Sequence, residues 1–154
     1  MGIFQRAWKT RVWWWGGVLM LLDRIIKYLF VDQYVDKFDV FSWLRLELRL
    51  NDGLAFGLLS GHGLIISLLG IIIFLYFLWR YHDFFSQSVL SQIGVSLVLG
   101  GALSNLWDRF VYNGYVIDYI NLTFYSVFNL ADVGIVIGLL VMTVFLLSNQ
   151  SSGE

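Results

Sequence analysis

The chain contains no cysteine and no proline. Without cysteine it has no disulfide, no thiolate metal ligand and no cysteine nucleophile. Because it has only two histidines, His62 and His82, a histidine-based metal site is poorly supported as well. The net charge of −1 provides no basic surface for nucleic acid. Since proline is absent, no residue forces a kink in a long apolar helix.

Charge is also missing from long stretches of the chain. Hydrophobic residues make up 58% of the sequence, whereas soluble domains contain about 45–50% apolar residues even when glycine is counted. A membrane-spanning helix needs about 20 largely apolar residues. Four segments fit, and they predict an α-helical integral membrane protein with four transmembrane helices in a single domain, residues 1–154. The spans are predicted at 12–31, 64–79, 89–107 and 128–147, with a disordered tail at 148–154.

The basic residues Arg6, Lys9 and Arg11 precede the first apolar segment. They imitate the start of a signal peptide, but no small-residue cleavage site follows, so we interpret the segment as a retained helix. Basic flanks stay in the cytoplasm, which predicts a multi-pass protein with both termini cytoplasmic. Residues 32–52 and 108–127 then lie outside.

The two outer stretches carry strand signals. From Leu44 to Leu50, leucines alternate with charged residues, which predicts a half-buried strand. Asn113 and Gly114 lie between apolar flanks, a pattern typical of a two-residue hairpin turn. We therefore predict a small extracytoplasmic β platform with Asp118 at its end.

Two carboxylates, Asp118 and Asp132, flank the last apolar segment. An ionisable group at bilayer depth costs roughly 2.5–3.5 kcal/mol on insertion scales, so a functional role is favoured. If residues 124–128 loop back, the two carboxyls meet near the outer leaflet and share one proton, as in an aspartyl protease. The alternative is that Asp132 is a helix N-cap residue and Asp118 a carboxylate of a surface turn. The spacing leaves both interpretations open.

Polar residues at the end of the third segment form a second motif. Gly101, Asn105 and Arg109 share one helix face, which would direct two polar donors to one place near the outer interface. The alternative is close helix packing plus an Arg109 side chain paired with Asp108. Taken alone, the motif favours this alternative.

Two further motifs are weaker. Asn51 and Gly53 indicate a turn whose amide can contact a peptide backbone, or simply a turn before a helix. Asp23 and Lys27 lie four residues apart on one helix face, and such buried charges are commonly paired. We interpret this pair as supporting rather than catalytic.

Taken in order, these motifs resemble the lipoprotein signal peptidase (signal peptidase II) family, over most of the chain. The matching blocks are Asp23-x3-Lys27, Asn51-x-Gly53-x-Ala55-Phe56, Gly100-Gly101-Ala102-x2-Asn105-x2-Asp108-Arg109, Gly114-x-Val116-x-Asp118 and Phe128-Asn129-x-Ala131-Asp132.

The resemblance implies an intramembrane aspartyl endopeptidase of the bacterial inner membrane, with its active site near the outer leaflet. Such enzymes cleave diacylglyceryl-modified prolipoproteins just before the lipidated cysteine, need no metal or organic cofactor, and are targets of globomycin. We expect a monomer whose partners are membrane lipid, the prolipoprotein signal peptide and globomycin-like inhibitors, with no nucleic acid.

The resemblance also assigns residues by position. It implies that Asp118 and Asp132 are catalytic, and that Asn51, Asn105 and Arg109 contact the backbone of the substrate or inhibitor. The implied supporting residues are Asp23, Lys27, Gly53, Gly101, Asp108, Asn129 and Ala131. Ser104 and Val133 depart from the usual glycine and serine of the family, which bears on fine geometry and rate rather than on the reaction.

Three other functions compete with this interpretation. A small transporter or channel would spread its charges through the bilayer, whereas here they map to the outer half under one topology. An inactive homologue acting as a scaffold would not need both aspartates. A different intramembrane protease is disfavoured because the Gly-x-Gly-Asp motif of presenilin-like enzymes is missing.

Overall fold

Helices and one small antiparallel sheet make up the part of the chain that the structure, a computed structural model, describes: residues 10–32, 37–53, 61–124 and 126–150. Arg6, Lys9, Ala55 and Phe56 lie outside these ranges, as does the end of the predicted tail. A 3-10 turn, Thr10–Val12, precedes the first helix. The helices are α1 (Trp13–Val31), α2 (Gly63–Arg80), α3 (His82–Phe85), α4 (Val89–Val111) and α5 (Leu130–Gln150). The strands are β1 (Phe38–Phe41), β2 (Leu44–Asn51), β3 (Val116–Leu122) and β4 (Val127–Phe128).

Three of the described helices, α2, α4 and α5, are long and apolar enough to cross a membrane. The 19 residues of α1 include three charged ones, Asp23, Arg24 and Lys27. The chain is therefore a mostly helical, multi-pass membrane protein, and the count of four spans stays a prediction.

Helix α4 lies at the centre and packs against α1, α2 and α5. Small residues let the backbones approach closely. A Cβ at Gly101 would meet the carbonyl oxygen of Ala131 at less than contact distance, so no larger residue fits there without moving α5. On the other side of α4, the Gly16 N–H donates to Ser96 Oγ at 2.8 Å and joins α1 to α4.

The sheet has the order β1-β2-β3-β4, with each neighbouring pair antiparallel. The predicted strand is confirmed as β2. The expectation that its leucines form one buried face is wrong, because Leu48 and Leu50 are exposed. The register against β3 shifts between Leu46 and Arg49. This shift interrupts the strict alternation that the sequence pattern assumes.

The hairpin predicted at Asn113–Gly114 is also wrong. Both residues have left-handed backbone angles, with φ of 52° and 97°, and they end α4 instead. The Gly114 N–H bonds the Arg109 carbonyl at 2.8 Å, which is a helix-terminating turn. The pattern was ambiguous because the same residue types end helices and turn hairpins.

Two helix ends differ from the predicted spans. Helix α4 extends past residue 107 to Val111 and so includes Arg109. Phe128 belongs to β4, so the last span begins later than predicted, at Leu130. Helix α5 continues through Gln150, which makes the predicted disorder wrong for residues 148–150, because the helix keeps its backbone bonds beyond the last apolar residue.

Candidate active site

The two aspartates reach one place because β3 and β4 reverse the chain between them. Asp118 is the third residue of β3 and Asp132 the third of α5. Strand β4 pairs back onto β3, with Asn121 opposite Val127. This confirms the predicted loop-back and brings the start of α5 beside Asp118.

Asn129 ties the two carboxylates together. Its side-chain amide donates to Asp118 Oδ1 at 2.8 Å, and its backbone N–H donates to Asp132 Oδ2 at 3.1 Å. In return, the Asp132 N–H bonds Asn129 Oδ1 at 2.9 Å. This reciprocal pair is a capping box at the start of α5. Asn129 is therefore the N-cap residue, so the alternative that Asp132 itself is the N-cap is wrong, and the capping box holds the Asp132 carboxylate in place beside Asp118.

Two more asparagines complete the set of donors. Asn51 Nδ2 donates to Asp118 Oδ2 at 3.0 Å, and Asn105 Nδ2 donates to Asp132 Oδ1 at 2.7 Å. Each of the four carboxylate oxygens thus accepts one amide hydrogen. Within the described residues these bonds come from neutral groups, so neither aspartate is neutralised by a direct ion pair.

Burial and, after it, the charge of Asp132 raise the pKa of Asp118 from 3.8 to about 7. The amides of Asn51 and Asn129 and the charge of Lys27 oppose the shift but do not cancel it. A carboxyl with this pKa keeps its proton for much of the time at neutral pH. The site can therefore hold one proton between two acids.

A buried cluster of four charged residues lies behind Asn105. Lys27 Nζ is 2.7 Å from both Asp23 Oδ2 and Asp108 Oδ2, and Arg24 also pairs with Asp108. The predicted pairing of Asp23 with Lys27 is confirmed. Lys27 also donates to Asn105 Oδ1 at 3.0 Å, which turns the amide NH2 of Asn105 toward Asp132.

Arg109 does not pair with Asp108, so that alternative is wrong. Its guanidinium donates to the Gly53 carbonyl at 2.8 Å and, at 3.4 Å, to the Asn105 carbonyl. The Gly53 N–H in turn bonds Asn51 Oδ1 at 3.0 Å, as expected for a turn. Arg109 thereby joins the end of β2 to the end of α4.

A cavity of about 750 Å³ opens from the two aspartates. Its polar end is lined by Asn51, Gly53, Asn105, Arg109, Asp118 and Asp132. The remaining wall is mostly apolar and comes largely from α2, α4 and α5. An apolar cavity with a few convergent polar groups is the usual form of a ligand site.

Of the predicted site residues, Asn51, Gly53, Asn105, Arg109, Asp118 and Asp132 line the cavity. Lys27 and Asn129 bond to residues that line it, and Asp23 and Asp108 lie behind them and pair with Lys27. Gly101 and Ala131 meet in the close contact between α4 and α5. The catalytic and binding roles themselves stay predictions. Sequence reasoning missed Tyr119, which is buried and bonds Asp23 at 3.1 Å, and it missed the bond from Ser104 Oγ to Asp23 Oδ2 at 2.6 Å. No sequence signal marks either contact.

Comparison with known proteins places this geometry in a family. The sequence model of signal peptidase (SPase) II matches residues 16–148. The lipoprotein signal peptidase of Clostridium novyi is 32% identical over 139 residues, which cover 83% of this chain and 91% of that protein. The lipoprotein signal peptidase of Brucella ovis is 38% identical over 128 residues, which cover 77% of this chain and 78% of that protein.

Two solved structures, each described as a bacterial membrane enzyme, share the fold. One has a TM-score of 0.78 at 27% identity and covers 94% of this chain and 92% of its own. The other has a TM-score of 0.71 at 26% identity and covers 94% of this chain and 97% of its own. The chain therefore belongs to the signal peptidase II family of lipoprotein signal peptidases, which are membrane-embedded proteases.

Proposed function

We propose that this chain is an aspartyl endopeptidase of the bacterial inner membrane. It removes the signal peptide from diacylglyceryl-modified prolipoproteins by cleaving just before the lipidated cysteine. The observation that carries the proposal is the pair of carboxylates, the buried Asp118 and the half-buried Asp132, held by neutral amides at the mouth of an apolar cavity.

The two aspartates take different parts in the reaction. We assign the shared proton to Asp118, because burial and the charge of Asp132 raise its pKa to about 7. Asp132 lies in the first turn of α5, where the positive end of the helix dipole favours a carboxylate. The pair titrates as a unit, so one proton is shared between the two carboxyls.

The chemistry follows from this division. Asp132 takes a proton from a water molecule, whose oxygen attacks the scissile carbonyl carbon. Asp118 passes its proton to the carbonyl oxygen, which gives a neutral tetrahedral diol. When the C–N bond breaks, the proton held by Asp132 moves to the leaving nitrogen and Asp118 recovers its own. The products are the signal peptide with a new carboxyl end and the lipidated cysteine with a free amine.

Arg109 supplies a donor for the substrate backbone. Its Nε is buried and has no hydrogen-bond partner among the described residues, although the guanidinium lines the cavity. A buried unsatisfied donor costs about 1–3 kcal/mol. A carbonyl of the bound peptide would satisfy it, and a globomycin-like cyclic peptide would use the same group.

The apolar wall of the cavity suits the helix of a signal peptide. Ile66, Gly70 and Phe74 lie on α2, and Ile135 and Leu139 lie on α5. An apolar segment lying between these helices would bring its end to the two aspartates, while the attached acyl chains stay in lipid.

The proposal includes four spans with both termini cytoplasmic. The three charged residues of α1 are compatible with a span because their charges are balanced. The positive charges of Arg24 and Lys27 are matched by the negative charges of Asp23 and of Asp108 on α4. The side chains of Asp23, Lys27 and Asp108 are buried, and that of Arg24 is 21% exposed. The surface of α1 that would face lipid therefore carries no fully exposed charge. In this arrangement the sheet and both aspartates lie near the outer leaflet.

The test is a cleavage assay with matched substrates. Purified protein in detergent receives one prolipoprotein in two forms, with and without the diacylglyceryl group on the cysteine. We expect cleavage of the lipidated form only, with mass spectrometry giving lipidated cysteine as the new first residue. Cleavage at another bond, equal cleavage of both forms, or no cleavage by folded protein would contradict the proposal and favour a scaffold or transport role.

A further inference from the structure

The start of α5 is held by groups from three different elements. The first four N–H groups of a helix have no partner within the helix. Counted from the N-cap residue Asn129, all four are bonded in α5: Asn129 N to Asp132 Oδ2 at 3.1 Å, Leu130 N to Tyr119 Oη at 3.0 Å, Ala131 N to Asp23 Oδ1 at 3.3 Å, and Asp132 N to Asn129 Oδ1 at 2.9 Å. The turn that carries Asp132 is thereby tied to α1 and β3 as well as to its own cap.

Tyr119 connects the start of α5 to Asp23 of α1. Its hydroxyl accepts the Leu130 N–H and donates to Asp23 Oδ1 at 3.1 Å. The other oxygen of Asp23 is held by Lys27 at 2.7 Å and by Ser104 at 2.6 Å. Asp23 cannot rotate freely, so it presents a fixed acceptor to Tyr119 and to the helix.

Tyr119 cannot act by touching the substrate. It is only 3% exposed, and it is not among the residues that line the cavity. Its ring stacks on Phe30 with centroids 5.4 Å apart and planes within 14°. Burial raises the pKa of its phenol, and the charge of Asp23 raises it further. The hydroxyl therefore keeps its hydrogen throughout the neutral range.

We propose that Tyr119 is a positioning residue for the peptidase reaction. Its hydroxyl sets the orientation of the first turn of α5 and so holds the Asp132 carboxylate against Asp118. The inference rests on the proposed function, because it gives Tyr119 a role in that reaction. An acid–base pair is sensitive to such control, since a misplacement of about 1 Å can lower a rate about 100-fold.

The test replaces Tyr119 with Phe, which keeps the ring on Phe30 and removes only the hydroxyl. Tyr115→Phe is the matched control, because Tyr115 is exposed and lies just before β3. Active enzyme is counted by titration with globomycin, so that a loss of folded protein is not read as a loss of rate. We expect kcat per titrated site to fall roughly 10- to 100-fold with KM unchanged, and the control to match the parent.

Amide hydrogen exchange gives a second readout that does not depend on activity. We expect faster exchange in the first turn of α5 in Tyr119→Phe, with the middle of α4 unchanged. An unchanged kcat per titrated site, or a change confined to KM, would overturn the positioning role even if exchange increases. If Tyr119→Phe does not fold, a fluorinated tyrosine at 119 keeps the contacts but weakens the acceptor for Leu130. An unaltered kcat in that protein would overturn the role.

A failure of the proposed function would give a different experimental result from a failure of the positioning role. In that case the parent itself does not cleave lipidated prolipoprotein, and the positioning role falls with it. If the parent cleaves, only the comparison of Tyr119→Phe with Tyr115→Phe decides this inference.

Discussion

Replacing Lys27 with Met should strongly destabilise the protein. The ammonium lies between two buried carboxylates, 2.7 Å from both Asp23 and Asp108, and it bonds Asn105 at 3.0 Å. Its side chain is 2% exposed, so water cannot replace the lost charge. With Arg24 the cluster is neutral, and the substitution leaves it with a net charge of −1.

The magnitude follows from that uncompensated charge. Removing one partner of a buried ion pair costs about 3–5 kcal/mol, because the other partner stays buried without compensation. Met has a similar length, so most of the loss is electrostatic rather than a cavity. Activity should fall as well, since Asn105 loses the bond that turns its amide toward Asp132.

The assay is equilibrium unfolding in detergent, with Lys37→Met as the exposed control. The control should change the free energy of unfolding by less than about 0.5 kcal/mol. A double variant, Lys27→Met with Asp23→Asn, restores neutrality and should be more stable than Lys27→Met alone. A single-variant loss below about 1 kcal/mol, or no recovery in the double variant, would refute the reasoning.

Three further outcomes follow from the structure. The pKa of Asp118 is raised from 3.8 to about 7, so the folded state binds more protons than the unfolded state between these values. The parent should therefore lose stability relative to Asp118→Asn as the pH rises from about 4 to about 7, measured as the difference in unfolding temperature. Gly101→Ala would drive a Cβ into the Ala131 carbonyl and should cost about 1–3 kcal/mol of unfolding free energy, whereas Gly17→Ala, whose Cβ meets nothing within 4 Å, should cost none. Gly70 lines the cavity and a Cβ added there meets nothing within 4 Å, so Gly70→Leu should narrow the cavity and raise KM for lipidated substrate while leaving the unfolding temperature unchanged.

Much of the site can be predicted from the sequence because it depends on residues that are close together in the chain. Long uncharged runs predicted α2, α4 and α5, and the short segment between Asp118 and Asp132 predicted the return of the chain. The pairing of Asp23 with Lys27 followed from their spacing on one helix face. These features depend on periodicity and chain reach, which a sequence displays directly.

The rest depends on contacts between residues far apart in the chain. Asn113 and Gly114 are typical of hairpins, but the bond from Gly114 to Arg109 makes them a helix end. Ser104 stands where the family usually has glycine, and its hydroxyl bonds Asp23, which is 81 positions away. Tyr119 carried no signal at all, because its role comes from the partners that α1 and α5 bring to it.

The pair of aspartates is tested most directly by cleavage with single carboxylate-to-amide variants. Asp118→Asn and Asp132→Asn would be compared with Asp83→Asn, whose side chain is 93% exposed. The account predicts that the parent and Asp83→Asn cleave lipidated prolipoprotein alike, and that both site variants fall to background while remaining folded. Full activity in either site variant would contradict it.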